Sequence, residues 1–392
     1  MTDAAVPLPR GFRAAAVHCG LRKDPAHPDL GLLLADDARP AAAVFTQNRL
    51  RGAHVQVCRE HLQQGGGMVR ALLVNARNAN CATGQAGVDA ARALCADLAE
   101  RVGCPTEQVL MASTGPIGAP LPHEKIRARL DDLLRAASGD PAGAAAFARA
   151  IMTTDTVPKA AAQSIGAGPG RATGFAKGAG MIHPDMATML AFVLADAAPG
   201  PALQPLLQRI ADRSFHRVTV DGDTSPNDTF LLWAGGAHAD LEPFEQAVTA
   251  LSQDLARRIA GDGEGLTRLI TVEVRGAADE REANHVGRVV ATSPLVKTAV
   301  AGRDPNWGRI LSAAGRAGVP FDAERARVWV GATEVYAHGV PHPEREAAAH
   351  RHLEQEREVV LGIDLGRGEA KADIWTCDLT KDYVQINADY RT

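Results

Sequence analysis

Short apolar runs alternate with alanine-rich stretches along the first half of the chain. Four runs rich in apolar and β-branched residues are predicted to be strands: Ala42–Thr46, Val55–Cys58, Ala71–Asn75 and Val109–Ala112. Elsewhere in this half, apolar residues recur every three or four positions, which predicts helices at Gly87–Arg101 and Glu124–Ala137. This alternation predicts an α/β fold.

The second half repeats the same pattern. Helices are predicted at Leu203–Ser214 and Pro243–Ile259, with a charged, alanine-rich surface helix at Pro343–Arg357. Strands are predicted at Arg217–Val220, Thr229–Trp233, Leu269–Arg275, Arg327–Val330, Val359–Ile363 and Ala370–Trp375. Because 392 residues are many for one core, we expect two closely packed α/β lobes.

The most irregular segment, Ser164–Gly180, lies between these halves. It is rich in glycine, which favours turns and close backbone approach, and an interdomain linker is one interpretation. However, it continues into MIHPDMATMLAFVLADA, which predicts a buried strand or helix rather than polar linker sequence. A loop that leads Thr188 towards a core suggests a chemical role for that threonine.

Composition and charge exclude several classes of protein. The net charge is −4 and the two signs are interspersed, so no surface for nucleic acid or an anionic membrane is indicated. No secretory signal or membrane span is visible, and we expect a cytoplasmic protein. The six cysteines form neither a CxxC pair nor a zinc spacing, so we predict reduced core residues and no metal site.

Some segments imitate known sites. In VTVDGDTSPND (218–228), Asp221 and Asp223 resemble a phosphatase nucleophile and acid, but Ser225 breaks the motif and a turn with Asx-type hydrogen bonds is the better interpretation. Neither nucleotide-binding glycine fingerprint is present, and no GxSxG elbow occurs. Four histidines occupy a charged stretch more typical of a solvated helix than of a metal site: His338, His342, His350 and His352.

The Ala187–Thr188 pair suits self-cleavage. Threonine is a weak nucleophile unless a base removes its proton, and its own α-amine can serve if the preceding peptide bond is cut. An α-amine has a pKa of about 7.7 to 8, which is well matched to general-base work. The small Ala187 side chain leaves its carbonyl open to attack by Thr188 Oγ. Ala-Thr pairs are also common in purely structural settings.

Ordered blocks along nearly the whole chain resemble one enzyme family. KGAGMIHPDMATMLAF (177–192) is similar to the self-processing segment of the ornithine acetyltransferases, or bifunctional glutamate N-acetyltransferases. Family-like blocks follow in matching order: AAAVFTQNRLRGA (41–53), NARNANCATG (75–84), ASTGPIG (112–118), IMTTDTVPK (151–159), DGDTSPNDT (221–229), DGEG (262–265), SPLVKTAVAGRDPNWGR (293–309) and VQINADYRT (384–392).

The resemblance implies a cytoplasmic enzyme that moves acetyl from N²-acetylornithine to glutamate by a ping-pong mechanism. In some members acetyl-CoA also serves as donor, and no bound cofactor or metal is implied. The precursor would be cut into an α chain of residues 1–187 and a β chain of residues 188–392, which stay associated as a heterotetramer or larger assembly. The implied fold is a four-layer α/β/β/α arrangement.

The family motifs also imply roles for individual residues. Thr188 would be the nucleophile, and Thr114 and Gly115 in ASTG would form the oxyanion hole. The positions that would contact substrate are Thr153, Lys177, Thr188, Glu264, Asn387 and Thr392.

One block departs from the family pattern and leaves alternatives open. The family commonly reads NSGNAN, whereas this chain has Ala76 and Arg77 in NARNAN, a version that resembles relatives associated with clavulanic acid gene clusters. Arg77 would either change the preferred amine or acyl donor or hold a purely structural loop position. A related acyltransferase of a specialised, clavam-like pathway is therefore one alternative. An N-terminal-nucleophile amidase or aminopeptidase, which delivers the acyl group to water, is another.

Overall fold

The computed structural model describes residues 5–183, 189–200 and 203–389. Ala187, Thr188 and Thr392, which carry sequence-based predictions, lie outside the described residues. The chain divides into two compact units. The first runs to His216 and resumes at Asp223–Ile259, and the second consists of Arg217–Gly222 and Ala260–Arg391.

The first unit is a mixed α/β unit. Its described strands are β1 (Phe12–Val17), β2 (Leu30–Phe45), β3 (Met68–Asn75), β4 (Val109–Ser113), β5 (Lys159–Ser164), β6 (Arg171–Lys177), β7 (Leu190–Ala198) and β8 (Thr229–His238). Its described helices are α1 (Ala53–Gln64), α2 (Gly84–Val102), α3 (His123–Arg127), α4 (Leu130–Ala136), α5 (Pro141–Ala150), α6 (Leu203–Arg213) and α7 (Leu241–Ala260).

The long strand β2 joins the two parts of the first unit's sheet. The strand order is β4-β3-β2-β8-β7-β6-β5, with β1 paired to β2. The first part of β2 pairs with β3, its last part, Ala41–Phe45, pairs with β8, and the β2–β3 register shifts between Leu34 and Arg39. One apolar core contains side chains from both parts, including Leu72 and Leu110 on one side and Phe192 and Trp233 on the other. The two parts of the sheet therefore share a core across their facing surfaces.

Helices cover the other surfaces of this sheet. Leu94 and Leu98 of α2 share a second core with Leu73 of β3 and Met111 of β4. Near the opposite end of the strand order, a Cβ added at Gly174 in β6 would lie 2.6 Å from Leu255 Cδ1 of α7. Glycine at this position allows α7 to pack closely on the sheet.

The second unit has a smaller sheet. Its described strands are β9 (Leu269–Ala277), β10 (Arg327–Val330), β11 (Thr333–Ala337), β12 (Val340–Pro341), β13 (Glu358–Asp364) and β14 (Ala370–Cys377). Its described helices are α8 (Glu280–Ala291), α9 (Pro294–Ala301), α10 (Trp307–Gly315), α11 (Glu346–Gln355) and α12 (Lys381–Asp389). The order is β12-β11-β10-β13-β9-β14. Its core combines sheet residues such as Val272 and Ile374 with Val286 and Val290 of α8.

Most predicted elements are confirmed, with the strands at Ala71–Asn75, Val109–Ala112 and Leu269–Arg275 among them. The prediction of a strand at Val55–Cys58 is wrong, because these residues belong to α1. The segment alternates over four positions, but the buried residues His54, Val57, Cys58 and His61 follow the helical repeat. The longer pattern therefore decides the structure.

Three further predictions need correction. Arg217–Val220 forms one isolated bridge, Val218 to Trp375, instead of a strand. Glu124–Ala137 is divided into α3 and α4. The linker interpretation of Ser164–Gly180 is wrong, because the segment contains β6, which pairs with β5 and β7 inside the sheet.

Two observations concern the predicted class of protein. The six cysteines are free, as predicted, and all are buried apart from the partly exposed Cys104. Among the helices formed by the described residues, none is long and apolar enough to cross a membrane.

Candidate active site

The predicted oxyanion residues follow directly after β4. Thr114 N donates to the Asn75 carbonyl at 3.0 Å, and Asn78 N donates to the Thr114 carbonyl at 3.0 Å. Gly115 has a φ of +142°, and a Cβ there would lie 2.4 Å from the backbone of Arg77 and Asn78. Only glycine fits between these segments, so the NARNAN loop and the ASTG turn pack directly against each other.

Lys177, the last residue of β6, reaches this turn. Its side chain is buried, and its Nζ donates to Thr114 Oγ1 at 3.2 Å. The Thr114 main-chain N–H is already bonded to Asn75, so the groups of this turn that can face an oxyanion are the Thr114 hydroxyl and the Gly115 N–H. The structure therefore brings together two of the predicted positions, Thr114 and Lys177.

A buried carboxylate, Asp155, connects Thr153 to the end of β6. Asp155 Oδ1 accepts from Lys159 Nζ at 2.7 Å and from Gly178 N at 2.6 Å, while Oδ2 accepts from Thr153 N at 3.0 Å. Burial alone would raise the pKa of Asp155, but the charges of Lys159 and Lys177 and these hydrogen bonds hold it well below its ordinary value. Asp155 is thus a permanent anion among the predicted substrate-binding residues.

Sequence reasoning did not assign roles to Asp155 and Lys159. The available signal was an acid and a base four residues apart in TTDTVPK, a segment without helical pattern. Both side chains are fully buried, and a buried charge requires a partner.

The DGDTSPNDT block holds the chain that follows Thr188. Asn227 Nδ2 donates to the carbonyls of Ala79 and Ser113, at 2.5 and 2.7 Å. Asp228 Oδ1 accepts from Met189 N at 2.8 Å. Asn227 N donates to Ser225 Oγ at 3.1 Å, a local side-chain hydrogen bond in which the acceptor is a serine hydroxyl and not the predicted Asx carboxylate or amide. The block therefore connects Met189, which precedes β7, to Ser113, which precedes Thr114.

Arg77 occupies a left-handed backbone position, with a φ of +68°. The family pattern NSGNAN places glycine there, the residue that adopts this conformation without strain. The Arg77 backbone borders Gly115, and its charge lowers the pKa of Arg22, a guanidinium for which burial is the larger cause. Arg77 therefore lies beside the predicted oxyanion turn.

In the second unit, two predicted substrate-binding residues contact each other. Asn387 Nδ2 donates to Glu264 Oε2 at 3.0 Å and to the Tyr383 carbonyl at 3.1 Å. The remaining predicted positions, Ala187, Thr188 and Thr392, lie outside the described residues. Within the part of the chain that is described, no cluster of three or more His, Cys, Asp or Glu side chains could hold a metal ion.

Comparison with known proteins identifies the family. The model of the ArgJ family matches residues 13–392. The chain is 46% identical to the arginine biosynthesis bifunctional protein ArgJ of Thermosynechococcus vestitus, over 99% of this chain and 98% of that protein. It is also 46% identical to the protein of the same name from Thermus thermophilus, over 99% of this chain and 100% of the relative. The chain belongs to the ArgJ family.

A solved relative is also similar. The crystal structure of arginine biosynthesis bifunctional protein argJ from Bacillus halodurans matches with 39% identity and a TM-score of 0.49. The match covers 52% of this chain and 100% of that one.

The buried Asp155 network predicts a large stability effect. Asp155→Ala is expected to lower the free energy of unfolding by about 3–5 kcal/mol at neutral pH, because Lys159 stays buried without the carboxylate. Since the folded-state pKa is depressed, the stabilisation is complete above the unfolded-state pKa of about 3.9 and is lost as the pH falls below it. Urea unfolding of wild type and variant across the acid range measures both effects.

Asp132→Ala is the matched control, because Asp132 pairs with Arg129 at the surface and such a pair contributes about 0–1 kcal/mol. Equal losses in the two variants would contradict the assignment of Asp155.

The strained position of Arg77 predicts an order of stability between two truncations. Arg77→Gly and Arg77→Ala both remove the side chain, but only glycine relieves the left-handed conformation. We expect the glycine variant to be the more stable by about 1 kcal/mol, measured as the difference in urea midpoints multiplied by the common slope. A more stable alanine variant would show that the loop changes conformation.

Proposed function

We propose that the chain, a glutamate N-acetyltransferase of arginine biosynthesis, transfers acetyl from N²-acetylornithine to glutamate through an ester on Thr188. Thr188 would become an N-terminal residue by autocatalytic cleavage of the Ala187–Thr188 bond. The observation that supports this most directly is the contact of Lys177 with Thr114, together with the attachment of Met189 to Asp228. The two sides of the segment that contains Thr188 therefore contact Thr114 and Asp228, and Asn227, the neighbour of Asp228, donates to the carbonyl of Ser113, the neighbour of Thr114.

In the first half-reaction, Thr188 Oγ attacks the acetyl carbonyl of the donor, with the Thr188 α-amine as base. The Thr114 hydroxyl and the Gly115 N–H donate to the oxyanion. Because Lys177 Nζ donates to Thr114 Oγ1, the Thr114 hydroxyl proton is not used in this hydrogen bond and can be donated to the oxyanion. Ornithine leaves, and the glutamate amine then attacks the acetyl ester in the reverse sequence. One amide is exchanged for another, so the reaction requires no bound cofactor, metal or ATP.

Substrate binding is the other part of the proposal. Lys177 and Thr153 are assigned to contacts in the first unit, where Asp155 accepts from the main-chain N–H groups of Thr153 and of Gly178, the residue after Lys177. Glu264, Asn387 and Thr392 are assigned to substrate contacts by the family motif. A cationic side chain can bind the carboxylate of an amino-acid substrate, and an acidic side chain can bind its amino group. Both amino-acid substrates carry groups of these two kinds.

The sheet of the first unit explains how two chains could stay together after cleavage. β6 precedes the proposed cut and β7 follows it, yet they pair from Ala172 opposite Ala195 to Lys177 opposite Leu190. β2 and β8 are paired in the same sheet. We propose an α chain of 1–187 and a β chain of 188–392 that assemble further in the cytoplasm. The two parts of the sheet and their covering helices would form the family's four layers.

We propose acetyl-CoA as an additional donor of the acetyl group. Its use is decided by comparing rates of N-acetylglutamate formation from acetyl-CoA and from acetylornithine.

Cleavage is tested by mass spectrometry of the intact purified protein. We expect two fragments whose masses sum to that of the whole chain plus one water, with the second beginning at Thr188. Thr188→Ala should remain one chain, whereas Thr188→Ser, which keeps a hydroxyl, should still be cut. A wild-type protein that stays whole would contradict the proposal.

The oxyanion assignment is tested by kinetics with acetylornithine and glutamate. Removing one donor should lower kcat about 100- to 1000-fold in Thr114→Ala, while Thr114→Ser should stay within a few-fold of wild type. One equivalent of ornithine per enzyme without glutamate, and continued release only with glutamate, support transfer. Equal release without glutamate would favour the amidase alternative.

A further inference from the structure

A cavity in the first unit lies where α1 and α2 begin. Its volume is about 610 Å³, within the range of roughly 300–1,000 Å³ that small-molecule sites occupy. The first turns of both helices line it, with Gly52 and Ala53 at the start of α1 and Thr83 and Gly84 at the start of α2. The proposed acetyl transfer assigns no role to this cavity.

Three arginine side chains line the cavity: Arg49, Arg51 and Arg59. All three residues are exposed, and within the described ranges none of their guanidinium groups forms an ion pair or a hydrogen bond. Arg59 lies over the ring of Phe45, with 5.3 Å between its guanidinium carbon and the ring centroid. Burial and the charge of Arg51 both lower the pKa of Arg59. The arginines are therefore close enough to repel one another.

One acidic residue, Glu60, also lines the cavity, but it is already paired. Glu60 Oε2 accepts from Arg92 Nη2 at 2.6 Å, and Oε1 accepts from Gln56 Nε2 at 3.0 Å. Hydrogen bonds from Arg92 and Gln56 are the main causes that lower the pKa of Glu60. The cavity therefore keeps an excess of positive charge that the described residues do not neutralise.

The two helix starts add to this positive potential. The first N–H groups of a helix have no partner within the helix, and the helix dipole favours an anion at this end. Neither α1 nor α2 has a side-chain cap or an acidic residue in its first turn. Thr83, which precedes α2, donates its hydroxyl to Asn80 Oδ1 at 3.0 Å, and Ala53 N donates to the Asn80 carbonyl at 2.9 Å. Asn80 thus holds the two helix starts together beside the arginines.

The rest of the lining suits an organic ligand. The Leu50 side chain is half exposed at the cavity, and Gln85 adds a carboxamide. A guanidinium can bind two phosphate oxygens at once and can stack on a flat ring. A single inorganic phosphate would leave most of this volume empty. Unpaired cations beside an apolar surface therefore match a ligand that carries both phosphate groups and a ring.

We propose that this cavity binds the phosphate groups of a nucleotide, either a free nucleotide or the nucleotide part of coenzyme A. Arg49, Arg51 and Arg59 would hold the phosphate oxygens, and the base would lie against Leu50. Both glycine fingerprints for nucleotides are missing from the sequence, so arginine side chains and helix starts would supply the binding groups instead.

The inference is independent of the proposed acetyl transfer, although the two sites are close in sequence. Asn80 lines the cavity and lies two residues after Asn78, whose backbone nitrogen borders Gly115. The cavity and the oxyanion turn therefore share the NARNAN loop.

Binding to the purified full-length protein is measured by isothermal titration calorimetry with ADP and, separately, with coenzyme A. We expect binding of at least one of them, and at least about tenfold weaker binding of adenosine, which has no phosphate. Arg51→Gln and Arg59→Gln should each raise the Kd by about tenfold, because each removes a charged hydrogen-bond donor. The melting temperature of each variant reports whether the fold is kept.

Arg281→Gln is the matched control. Arg281 is an exposed arginine of α8 in the second unit, and its guanidinium has no ion pair within the described ranges. Its replacement removes the same charge away from the cavity and should leave the Kd unchanged.

The outcomes also identify the source of the phosphates. A lower Kd for coenzyme A than for ADP supports the inference with coenzyme A as the ligand, and an equal or lower Kd for ADP supports it with a free nucleotide. The inference is overturned if neither binds at millimolar concentration, if adenosine binds as tightly, or if folded Arg51→Gln and Arg59→Gln keep the wild-type Kd. A wild-type protein that binds a nucleotide but transfers no acetyl group would overturn only the proposed function.

Discussion

The pairing of β6 with β7 is the constraint on which the site depends. Lys177 ends β6 and lies opposite Leu190, which begins β7. The chain between these two residues therefore connects neighbouring ends of adjacent strands. The pairing is reinforced by buried aromatic rings, since Phe147 contacts both Phe175 and Phe192 with centroids 5.0 and 6.1 Å apart. Neither the backbone ladder nor these contacts involve the Ala187–Thr188 bond. These contacts between β6 and β7 would therefore remain after the proposed cut.

Two buried aspartates near these strand ends show how the local environment sets the pKa of a carboxyl group. Asp155 lies between Lys159 and Lys177 and accepts main-chain N–H groups, so it is stabilised as an anion. Asp228 accepts from the main-chain N–H of Met189, and burial raises its pKa well above the ordinary value although the charge of Lys177 acts in the opposite direction. The anion at Asp155 suits the fixed placement of Thr153 and the end of β6.

Local patterns in the sequence predicted most regular elements but not their partners. The apolar runs that became β3, β4 and β9 stand out because β-branched residues fill them between turn signals. The strand prediction for Val55–Cys58 was wrong because a pattern of four residues does not distinguish a strand from one turn of an amphipathic helix. β6 was not predicted because Gly174, which allows α7 to pack closely on the strand, is typical of loops in a sequence read without its packing partner. Thr114 and Lys177 were predicted from the family motifs, whereas the environments of Asp155, Lys159 and Asp228 depend on burial, which a single sequence does not display.

The central claim is that acetyl passes through an ester on Thr188, and the most direct test is to trap it. The enzyme would be mixed with acetylornithine, quenched in acid within the first turnover, digested and analysed by mass spectrometry. The account predicts one acetyl group on the peptide that begins at Thr188, attached to oxygen and therefore labile to hydroxylamine, and lost when glutamate is added before the quench. An acetyl group on another residue, or transfer at full rate with no acetylated peptide, would contradict it.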